Sequence, residues 1–414
     1  MNKMRALSLC VSMICACIVH AQIRLGVDCF FDDGHDAYLK GKRVGLITNH
    51  TGVNGKLVLT SDLFLEKDRP FTLKALFSPE HGLSGSSYAF EKVKHGKIKG
   101  IPVYSLHGET RRPTDKMLKG IHALVYDIQG IGTRPYTYAT TLFYIMEEAA
   151  KRKIEVIVLD RPNPMGGMIV DGPMLQEEWR SFIGYINVPY CHGMTIGELA
   201  HLFNEEYNLK CKLKVIPMKG WSRKMDYKNT GLQWIPPSPH IPESDTPFFC
   251  ASTGMLGEIE LVNIGVGYTL PFKVVGASWI DADEFARALN KQKLPGVYFT
   301  PFHYKPFYGS YKGVDCHGVL IVIDNPLIYK PMKVQFALLG ILKSLYPKKF
   351  KKSLSSVSEK KKTLFCKASG GESVWNILET ERFATWKLIE VDKNARESFL
   401  IKREKYLRPE YSKN

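Results

Sequence analysis

The chain has 414 residues, of which 44% are hydrophobic and 11% aromatic, and its formal net charge is +16. These values are typical of a globular protein large enough for two domains, and they exclude a chain that is mainly disordered. The positive charge is diffuse and no nucleic-acid-binding motif accompanies it, so we expect no nucleic-acid partner. For its densest part, residues 348–362, we expect either polyanionic envelope material as a partner or a solvated lysine-rich surface.

The N-terminal segment has the pattern of a secretory signal peptide. Two basic residues precede an apolar run at 6–19, and a small-residue cleavage site ends at Ala21. A run of about 14 apolar residues is too short to span a bilayer comfortably, so we expect no stable membrane insertion. We predict that residues 1–21 are removed near Ala21 and that the protein is periplasmic or extracellular. Cys17 keeps a lipoprotein open as an alternative.

Cysteine and histidine spacing predicts no metal site and no cofactor. Six cysteines remain after the predicted cleavage and none forms a CxxC pair, which argues against a zinc knuckle or a thioredoxin-like redox site. They either form disulfides or stay reduced, since a chain of this size does not need disulfides to fold. No HExxH motif or clustered spacing accompanies His50, His81 and His192.

Short apolar, strand-like runs alternate with helical patterns in the first half of the chain. The pattern predicts strands at 43–48, 72–77, 103–106, 123–126 and 155–159, with helices at 60–67 and 140–153. This alternation indicates a largely parallel, doubly wound α/β sheet with helices on both faces.

The order of elements changes from about residue 190. The pattern predicts a helix at 196–207, a strand at 212–217, a proline-rich connection at 234–247, a helix at 282–292, strands at 297–304 and 319–324, a helix at 333–346 and C-terminal helical segments. We therefore predict a first domain at 22–190 and a second, smaller α/β domain at 191–414.

Polar side chains follow each predicted strand of the first half. Because ligands bind beyond the carboxyl ends of the strands in an open α/β sheet, these side chains are candidate site residues. For each of them a helix-capping role is the alternative. The candidates are Asn49, Glu80, His81, Asp127, Gln129, Asp160, Arg161 and Asn163.

Glu80 fits a capping role least well among these candidates. It lies in the stretch LFSPEHGLSG, where Pro79 stiffens the chain on one side. Gly82 and Gly85 on the other side leave the loop free to approach a ligand.

Seven segments of the sequence form a recognisable series of motifs. They are GLITNHTGV (45–53), LFSPEHGLSG (76–85), GIPVYSL (100–106), DIQGIGTRPYTYATTL (127–142), VLDRPNPMGG (158–167), HGMTIGELA (192–200) and PPSPHIP (236–242). With them the chain, from about residue 26 to the C-terminal REKYL, resembles the exo-acting β-N-acetylmuramidases of the NamZ type. The resemblance implies a Rossmann-like N-terminal domain, a smaller C-terminal α/β domain and a cleft between them. It also implies release of terminal N-acetylmuramic acid from peptidoglycan fragments, with Glu80 as the catalytic carboxyl.

Glycoside cleavage needs an acid that protonates the leaving oxygen while an oxocarbenium-like centre develops. A carboxyl whose pKa is raised by an apolar pocket supplies that proton near neutral pH, and Leu76, Phe77 and Leu83 are candidates for such a pocket around Glu80. We place His81 and Asp127 with Glu80 in the catalytic set. The group that stabilises the cation stays open between Asp127, Asp160, Tyr136, Tyr138 and the acetamido group of the substrate.

The lactyl carboxylate of N-acetylmuramic acid calls for a cation. We expect Arg134 to bind it through two hydrogen bonds, with a structural ion pair to Asp127 or Asp160 as the alternative. Tyr136 and Tyr138 either stack on the sugar or pack under the following helix. The remaining substrate-binding candidates are His192, His240 and Glu258.

The chain also departs from the family pattern. Gly130 replaces an acidic residue, Pro135 an aromatic one, Asp171 a glutamate and His240 an asparagine. In the loop at 257–272 most of the usual polar groups are lost, although Glu258 is retained. These changes keep open a glycosidase of altered specificity or a non-catalytic binder of cell-wall sugars. A nucleotide-using Rossmann enzyme has little support, because the first strand ends in TNHTGVNG and not in GxGxxG.

Overall fold

A computed structural model describes residues 23–88 and 91–412 of the chain, so the predicted signal peptide lies outside the described residues. Its first unit is built on a sheet of seven strands in the order β3-β4-β2-β1-β5-β6-β7. The strands are β1 Arg43–Thr48, β2 Thr72–Ser78, β3 Gly96–Ile98, β4 Ile101–Ser105, β5 Ala123–Asp127, β6 Glu155–Leu159 and β7 Leu213–Ile216.

Every neighbouring pair in this sheet is parallel except β3 and β4, which are antiparallel. All residues of β5 and β6 are buried, and their sequences ALVYD and EVIVL are nearly continuous apolar runs. Such runs are expected for parallel strands covered on both faces. The strand order reverses between β1 and β5, so the carboxyl ends of these strands form the topological switch point of the sheet.

Helices cover both faces of the sheet. The sheet therefore lies between two apolar clusters, one on each face. Helix α5 begins with a capping box in which the Thr195 hydroxyl accepts from the Glu198 amide and the Glu198 carboxylate accepts from the Thr195 amide. The helices of this unit are α1 Gly26–Asp32, α2 Thr60–Phe64, α3 Asp115–Leu118, α4 Tyr138–Lys151 and α5 Ile196–Glu206.

The second unit packs helices around a three-stranded antiparallel sheet in the order β8-β10-β9. Its largest apolar cluster joins both sheet and helices and includes the buried Phe285, Phe336 and Trp375. The strands are β8 Val274–Ala277, β9 Val297–Tyr304 and β10 Cys316–Ile323. The helices are α6 Thr246–Glu258, α7 Ala282–Asn290, α8 Pro331–Leu345, α9 Pro347–Ser355, α10 Glu359–Ser369, α11 Ser373–Thr380, α12 Ala384–Glu390 and α13 Lys393–Arg403.

The predicted fold class is confirmed: a mostly parallel α/β unit precedes a smaller unit of helices and strands. The sheet of the first unit includes β7, and helix α5 packs against β6 and β7. The first unit therefore extends past residue 190, where we predicted the boundary, and the second unit begins with α6. Sequence patterns missed α6 because TPFFCASTGMLGE is apolar on most sides and lacks a clear helical period.

Three further features bear on function. None of the helices within 23–88 and 91–412 combines the length and apolar character that a membrane span requires. All six cysteines of the described chain are free thiols. In the same residues, no group of three or more histidine, cysteine, aspartate or glutamate side chains is arranged to hold a metal ion.

Candidate functional site

A cavity of about 440 Å³ lies between the two units, and we call it the interdomain cavity. Its volume falls within the range of roughly 300–1,000 Å³ found for small-molecule sites. The first unit contributes the loop after β2 and the residues around the start of α4. The second unit contributes α6 and the segment at 262–272.

Glu80 lies on the cavity wall, in a sharp corner directly after strand β2. His81 and Gly82 both have positive φ angles, 69° and 79°, so the chain turns through the left-handed region there. For a non-glycine residue this conformation costs on the order of 1 kcal/mol or more and persists only where its surroundings hold it. The His81 Nδ1–H group holds the corner by donating to the Ser87 carbonyl at 2.7 Å.

Two side chains hold the Glu80 carboxyl, which is itself buried. The Thr137 hydroxyl donates to Oε2 at 2.7 Å, and His107 Nε2 lies 3.5 Å from Oε1. Burial lowers the pKa of the His107 imidazole, which is therefore neutral at neutral pH. These two contacts fix the orientation of the carboxyl.

Three more of the sequence-predicted residues reach the interdomain cavity besides Glu80 and His81: Tyr136, His240 and Glu258. Burial raises the pKa of the Tyr136 hydroxyl and lowers that of the His240 imidazole. Burial also raises the pKa of Glu258, and the neighbouring Glu260 adds to that shift. Glu258 is therefore a second carboxyl of the cavity, and its pKa is raised.

The apolar walls of the cavity come from residues other than those expected. Leu76 and Phe77 are fully buried in the cores on the two sides of the sheet, and they do not line the cavity. Met255, Val262 and Ile264 of the second unit form much of the apolar lining instead. The low-polarity surroundings of the two carboxyls therefore depend on the docking of the second unit.

Gly85 does not approach the cavity either. A side chain at this position would place its Cβ 1.9 Å from the ring of His50, so the glycine allows that ring to pack against the loop. The His50 Nε2 atom is in turn 2.7 Å from the Pro236 carbonyl, which links the loop to the proline-rich connection. Gly85 therefore makes room for the His50 side chain, and not for a ligand as we expected.

The second polar region is the carboxyl edge of strands β1, β5 and β6, which we call the sheet edge. There Asp127 is fully buried and accepts two hydrogen bonds from Arg161, at 2.6 and 2.9 Å. The Thr60 hydroxyl donates to the same carboxylate, and Arg161 also donates to the Val53 carbonyl at 2.7 Å. The Asp127 carboxylate and the Arg161 guanidinium, which we expected to face a ligand, are therefore bonded to each other and to neighbouring protein groups.

Further candidates at the sheet edge bind neighbouring loops. Asn49 Oδ1 accepts from the Thr51 amide and hydroxyl, and Gln129 Nε2 donates to the Gly130 and Pro162 carbonyls. The void that borders Gln129 measures only about 10 Å³, which is room for about one water molecule. The switch point of this sheet is therefore filled by the protein itself.

Asp160 joins three parts of the first unit. Its carboxylate accepts from the Thr195 hydroxyl at 2.7 Å, the Gly197 amide at 2.9 Å and the Tyr411 hydroxyl at 2.7 Å. Burial raises the pKa of Asp160 to about 6. Asp160 thus fixes helix α5 and the C-terminal segment, and it does not line the interdomain cavity.

Arg134 makes neither of the contacts we expected. Its buried guanidinium donates to the carbonyls of Pro173, Val188 and Ala368 at 2.8, 2.7 and 3.0 Å. Burial lowers its pKa to about 10. Since Ala368 belongs to helix α10, Arg134 ties the second unit to the first and leaves no donor facing the cavity.

The remaining candidates also lie away from the interdomain cavity. Asn163 donates to the Met194 carbonyl, and His192 Nδ1 accepts from the Met194 amide. Burial lowers the pKa of His192 to about 3. The Tyr138 hydroxyl donates to the Pro237 carbonyl at 2.6 Å. Asn163, His192 and Tyr138 border a separate void of about 40 Å³.

Sequence reasoning missed the two residues that hold Glu80. His107 follows strand β4, just as the candidates that we named follow their strands. The rule that polar residues after strand ends are site candidates would therefore have found it. Thr137 offered no signal of its own, because it lies between two tyrosines that drew attention to their rings.

Comparisons with known proteins match this chain along most of its length. Residues 44–245 match the family described as exo-beta-N-acetylmuramidase NamZ, N-terminal, and residues 249–408 match its C-terminal counterpart. The peptidoglycan beta-N-acetylmuramidase NamZ of Bacillus subtilis (strain 168) is 40% identical over 367 residues, which cover 87% of each chain.

Two crystal structures of DUF1343 family proteins from Bacteroides fragilis NCTC 9343 have the same fold. One has a TM-score of 0.87 and 40% identity, with 93% of this chain and 98% of that chain covered. The other has a TM-score of 0.75 and 27% identity, with 95% of this chain and all of that chain covered.

Proposed function

Because the chain belongs to the NamZ family of exo-β-N-acetylmuramidases, we propose that it is a glycoside hydrolase that releases terminal N-acetylmuramic acid from peptidoglycan fragments. One observation carries the proposal: the Glu80 carboxyl forms part of the wall of a cavity of about 440 Å³ between the two units. The name of the B. subtilis relative, a peptidoglycan β-N-acetylmuramidase, supports the substrate class.

In this proposal Glu80 is the general acid and base. It protonates the glycosidic oxygen as the bond to the anomeric carbon breaks, and it then takes a proton from the incoming water. The hydrogen bond from Thr137 fixes Oε2 of Glu80, and this holds the whole carboxyl group in one orientation. Burial lowers the pKa of His107, so this ring places no positive charge beside the carboxyl at neutral pH.

His81 binds the sugar beside the acid. Since its Nδ1–H group donates to a carbonyl, Nε2 is the ring nitrogen left for the substrate, and in the Nδ1–H tautomer it is a hydrogen-bond acceptor. A sugar hydroxyl is a suitable donor to this nitrogen. His81 thus orients the substrate and, with Tyr136 and His240, completes the polar part of the cavity.

Glu258 is our candidate for the second catalytic group, together with the acetamido group of the substrate. The sheet-edge carboxyls Asp127 and Asp160 are bound to protein groups, and Tyr138 donates to a carbonyl. Glu258 lines the cavity and makes no hydrogen bond or ion pair within the part of the chain that the structure describes. Its carboxyl is therefore available to the sugar, unlike the others.

A second candidate function is hydrolysis of a neutral N-acetylhexosaminide. The specific observation is that no lysine or arginine lines the interdomain cavity among the described residues, since Arg134 is directed elsewhere. A lactyl carboxylate would then bind through neutral donors such as the Tyr136 hydroxyl or extend out of the cavity. A neutral sugar requires no cation.

The test is a panel of 4-nitrophenyl glycosides of N-acetylmuramic acid and N-acetylglucosamine, incubated with the wild-type protein. We expect release of nitrophenol from the N-acetylmuramide at a kcat/KM at least tenfold above that for the N-acetylglucosaminide. Preference for the N-acetylglucosaminide would establish the second candidate. Binding of peptidoglycan fragments without turnover of either glycoside would contradict both and indicate a binding protein.

We also propose that the protein is exported, on the basis of the pattern in residues 1–21. The test is intact-mass analysis of protein from the periplasm and the medium of the producing cells. Export with cleavage after Ala21 predicts a mature chain that begins at Gln22, whereas a lipid-modified chain beginning at Cys17 would establish the lipoprotein alternative. An uncleaved chain in the cytoplasm would contradict the proposal.

A further inference from the structure

A row of aromatic side chains on the second unit lies beside the interdomain cavity. Phe307 is 67% exposed and Tyr308 is 49% exposed, whereas Tyr268 and Phe302 are half-buried. The Tyr268 ring stacks on Phe307 with centroids 6.1 Å apart at 19°, and it contacts Phe302 edge-on at 6.4 Å. We call these four residues the aromatic ridge.

The aromatic ridge is joined directly to the cavity. The Tyr308 hydroxyl is 2.9 Å from His240 Nε2, and the two rings lie 6.3 Å apart. His240 lines the cavity and is only half-buried, as is Ser310 further along the same segment. These residues mark the side on which the cavity opens towards the ridge.

The same short segments form both the cavity wall and the ridge. Asn263, which lines the cavity, donates from Nδ2 to the carbonyls of Val266 and Ser310 at 3.0 and 2.9 Å. The Phe307 amide donates to the Gly267 carbonyl. The ridge is therefore held in a fixed position relative to the cavity.

Glycine is required where these segments meet. Gly267 has a φ of 92°, and a Cβ atom there would lie 1.9 Å from the Tyr308 carbonyl oxygen. Only a glycine permits this close approach together with this backbone conformation. The segment around Gly267 is thus shaped to seat the ridge.

A contiguous exposed apolar surface on a soluble protein usually marks a binding site. Aromatic rings with polar edges suit the faces of pyranose rings, which present C–H groups in the middle and hydroxyls at the rim. An enzyme that removes a terminal sugar holds that sugar in its cavity, and the rest of the glycan leaves through the mouth. In this protein the ridge lies along that exit.

Resting on the proposed function, we propose that the aromatic ridge binds the sugars of the glycan strand that follow the cleaved terminal residue. The ridge thereby favours strands over short fragments as substrates. Phe307 contributes the most exposed ring, and Tyr308 connects the strand to the cavity through His240.

The test measures kcat/KM of the wild-type protein and of Phe307→Ala with two substrates. One is the 4-nitrophenyl N-acetylmuramide, which ends before the ridge, and the other is soluble, uncrosslinked glycan strands of alternating N-acetylglucosamine and N-acetylmuramic acid. We expect the ratio of kcat/KM for strands to that for the aryl glycoside to fall about three- to tenfold through KM, the effect of one lost aromatic contact. An unchanged ratio would overturn the proposal.

Two matched variants accompany this comparison. Phe307→Tyr keeps the ring and should keep the ratio of wild type. Trp386→Ala removes an aromatic side chain that is 69% exposed on helix α12 and does not line the cavity, so the ratio should also stay unchanged. A fall of the same size in Trp386→Ala would show that the loss is unspecific and contradict the role of the ridge.

A binding measurement separates this proposal from the proposed function. If wild-type protein hydrolyses neither substrate, the proposed function fails, and calorimetric titration of Glu80→Gln and Glu80→Gln/Phe307→Ala with glycan strands still tests the ridge. Binding weakened about three- to tenfold in the double variant supports the ridge, and equal binding overturns it. Sedimentation that shows a wild-type dimer dissociated by Phe307→Ala would instead identify a self-association surface.

Discussion

The sheet edge and the interdomain cavity contain similar side chains but use them in opposite ways. At the sheet edge Asp127 and Asp160 each receive three or more hydrogen bonds from protein groups. In the cavity Glu258 has no such partner among the described residues, and Glu80 is held at a corner that borders open space. The contrast teaches that a carboxyl at a strand end becomes catalytic only where the fold leaves it a space to face.

The largest expected effect comes from breaking the ion pair of the sheet edge. Asp127→Ala leaves the buried Arg161 charge unpaired, so we expect the free energy of unfolding to fall by about 3–5 kcal/mol, measured by urea denaturation. Asp62→Ala is the control, because its pair with Lys99 is solvent-exposed and its loss costs less than about 1 kcal/mol.

The activity of the same variant sharpens the comparison. Turnover of the N-acetylmuramide per folded Asp127→Ala molecule should stay within about threefold of wild type, since changes below about 0.7 kcal/mol are not those of a lost catalytic group. Full stability combined with lost turnover would move Asp127 into the catalytic machinery.

The next effect concerns Arg134, which ties the second unit to the first. Arg134→Met leaves the carbonyls of Pro173, Val188 and Ala368 without their donor, and we expect a loss of about 3 kcal/mol in the free energy of unfolding. Selectivity for the N-acetylmuramide over the N-acetylglucosaminide should not change. A selective rise in KM for the N-acetylmuramide would show that Arg134 binds the lactyl carboxylate after all.

Two buried groups of the first unit make opposite contributions to the pH dependence of stability. The pKa of His192 is lowered to about 3, so below pH 6.5 the unfolded chain takes up a proton that the native state refuses, and stability falls. The pKa of Asp160 is raised to about 6, so below pH 6 the native state takes up a proton first, and stability rises.

The variant His192→Gln separates these contributions. Between pH 6 and pH 4 the free energy of unfolding of wild type minus that of His192→Gln should fall by up to about 1.4 kcal/mol per pH unit. Urea denaturation of both proteins at several pH values measures this difference. Parallel curves would mean that His192 titrates normally in the native state.

The smallest effect tests how Glu80 is held. Thr137→Val removes the hydroxyl that donates to Glu80 at 2.7 Å but keeps the shape of the side chain. We expect kcat for the N-acetylmuramide to fall about three- to tenfold, which is the value of one hydrogen bond, while the midpoint of thermal unfolding changes little. A kcat equal to that of wild type would show that the Thr137 hydroxyl does not position Glu80 for catalysis.

The sequence predicted the architecture well because its signals are local. Strands such as EVIVL at 155–159 and RVGLIT at 43–48 have the bounds that were predicted, since apolar runs between turn residues specify buried parallel strands. Helix α6 escaped prediction because burial on most sides removes the helical period. The strand-end rule also placed Glu80 correctly at the end of β2.

The rule could not separate the sheet edge from the cavity. Asp127 ends strand β5 and Glu80 follows strand β2 of the same parallel sheet, and only the fold reveals that Arg161 fills the space before Asp127. The same limit explains Arg134, whose partners lie up to 234 residues away in the sequence. Contacts between distant segments decide which polar groups remain available to bind a ligand. A local sequence pattern carries no information about these contacts.

The hydrolysis rate of Glu80→Gln tests the central claim most directly. We expect kcat for the 4-nitrophenyl N-acetylmuramide to fall by about a hundredfold or more, with the thermal midpoint of wild type, because the amide keeps the shape but cannot donate the acidic proton. Glu91→Gln, an exposed carboxyl on the same loop, should keep full activity. A Glu80→Gln protein that hydrolyses the glycoside at the wild-type rate would contradict the account.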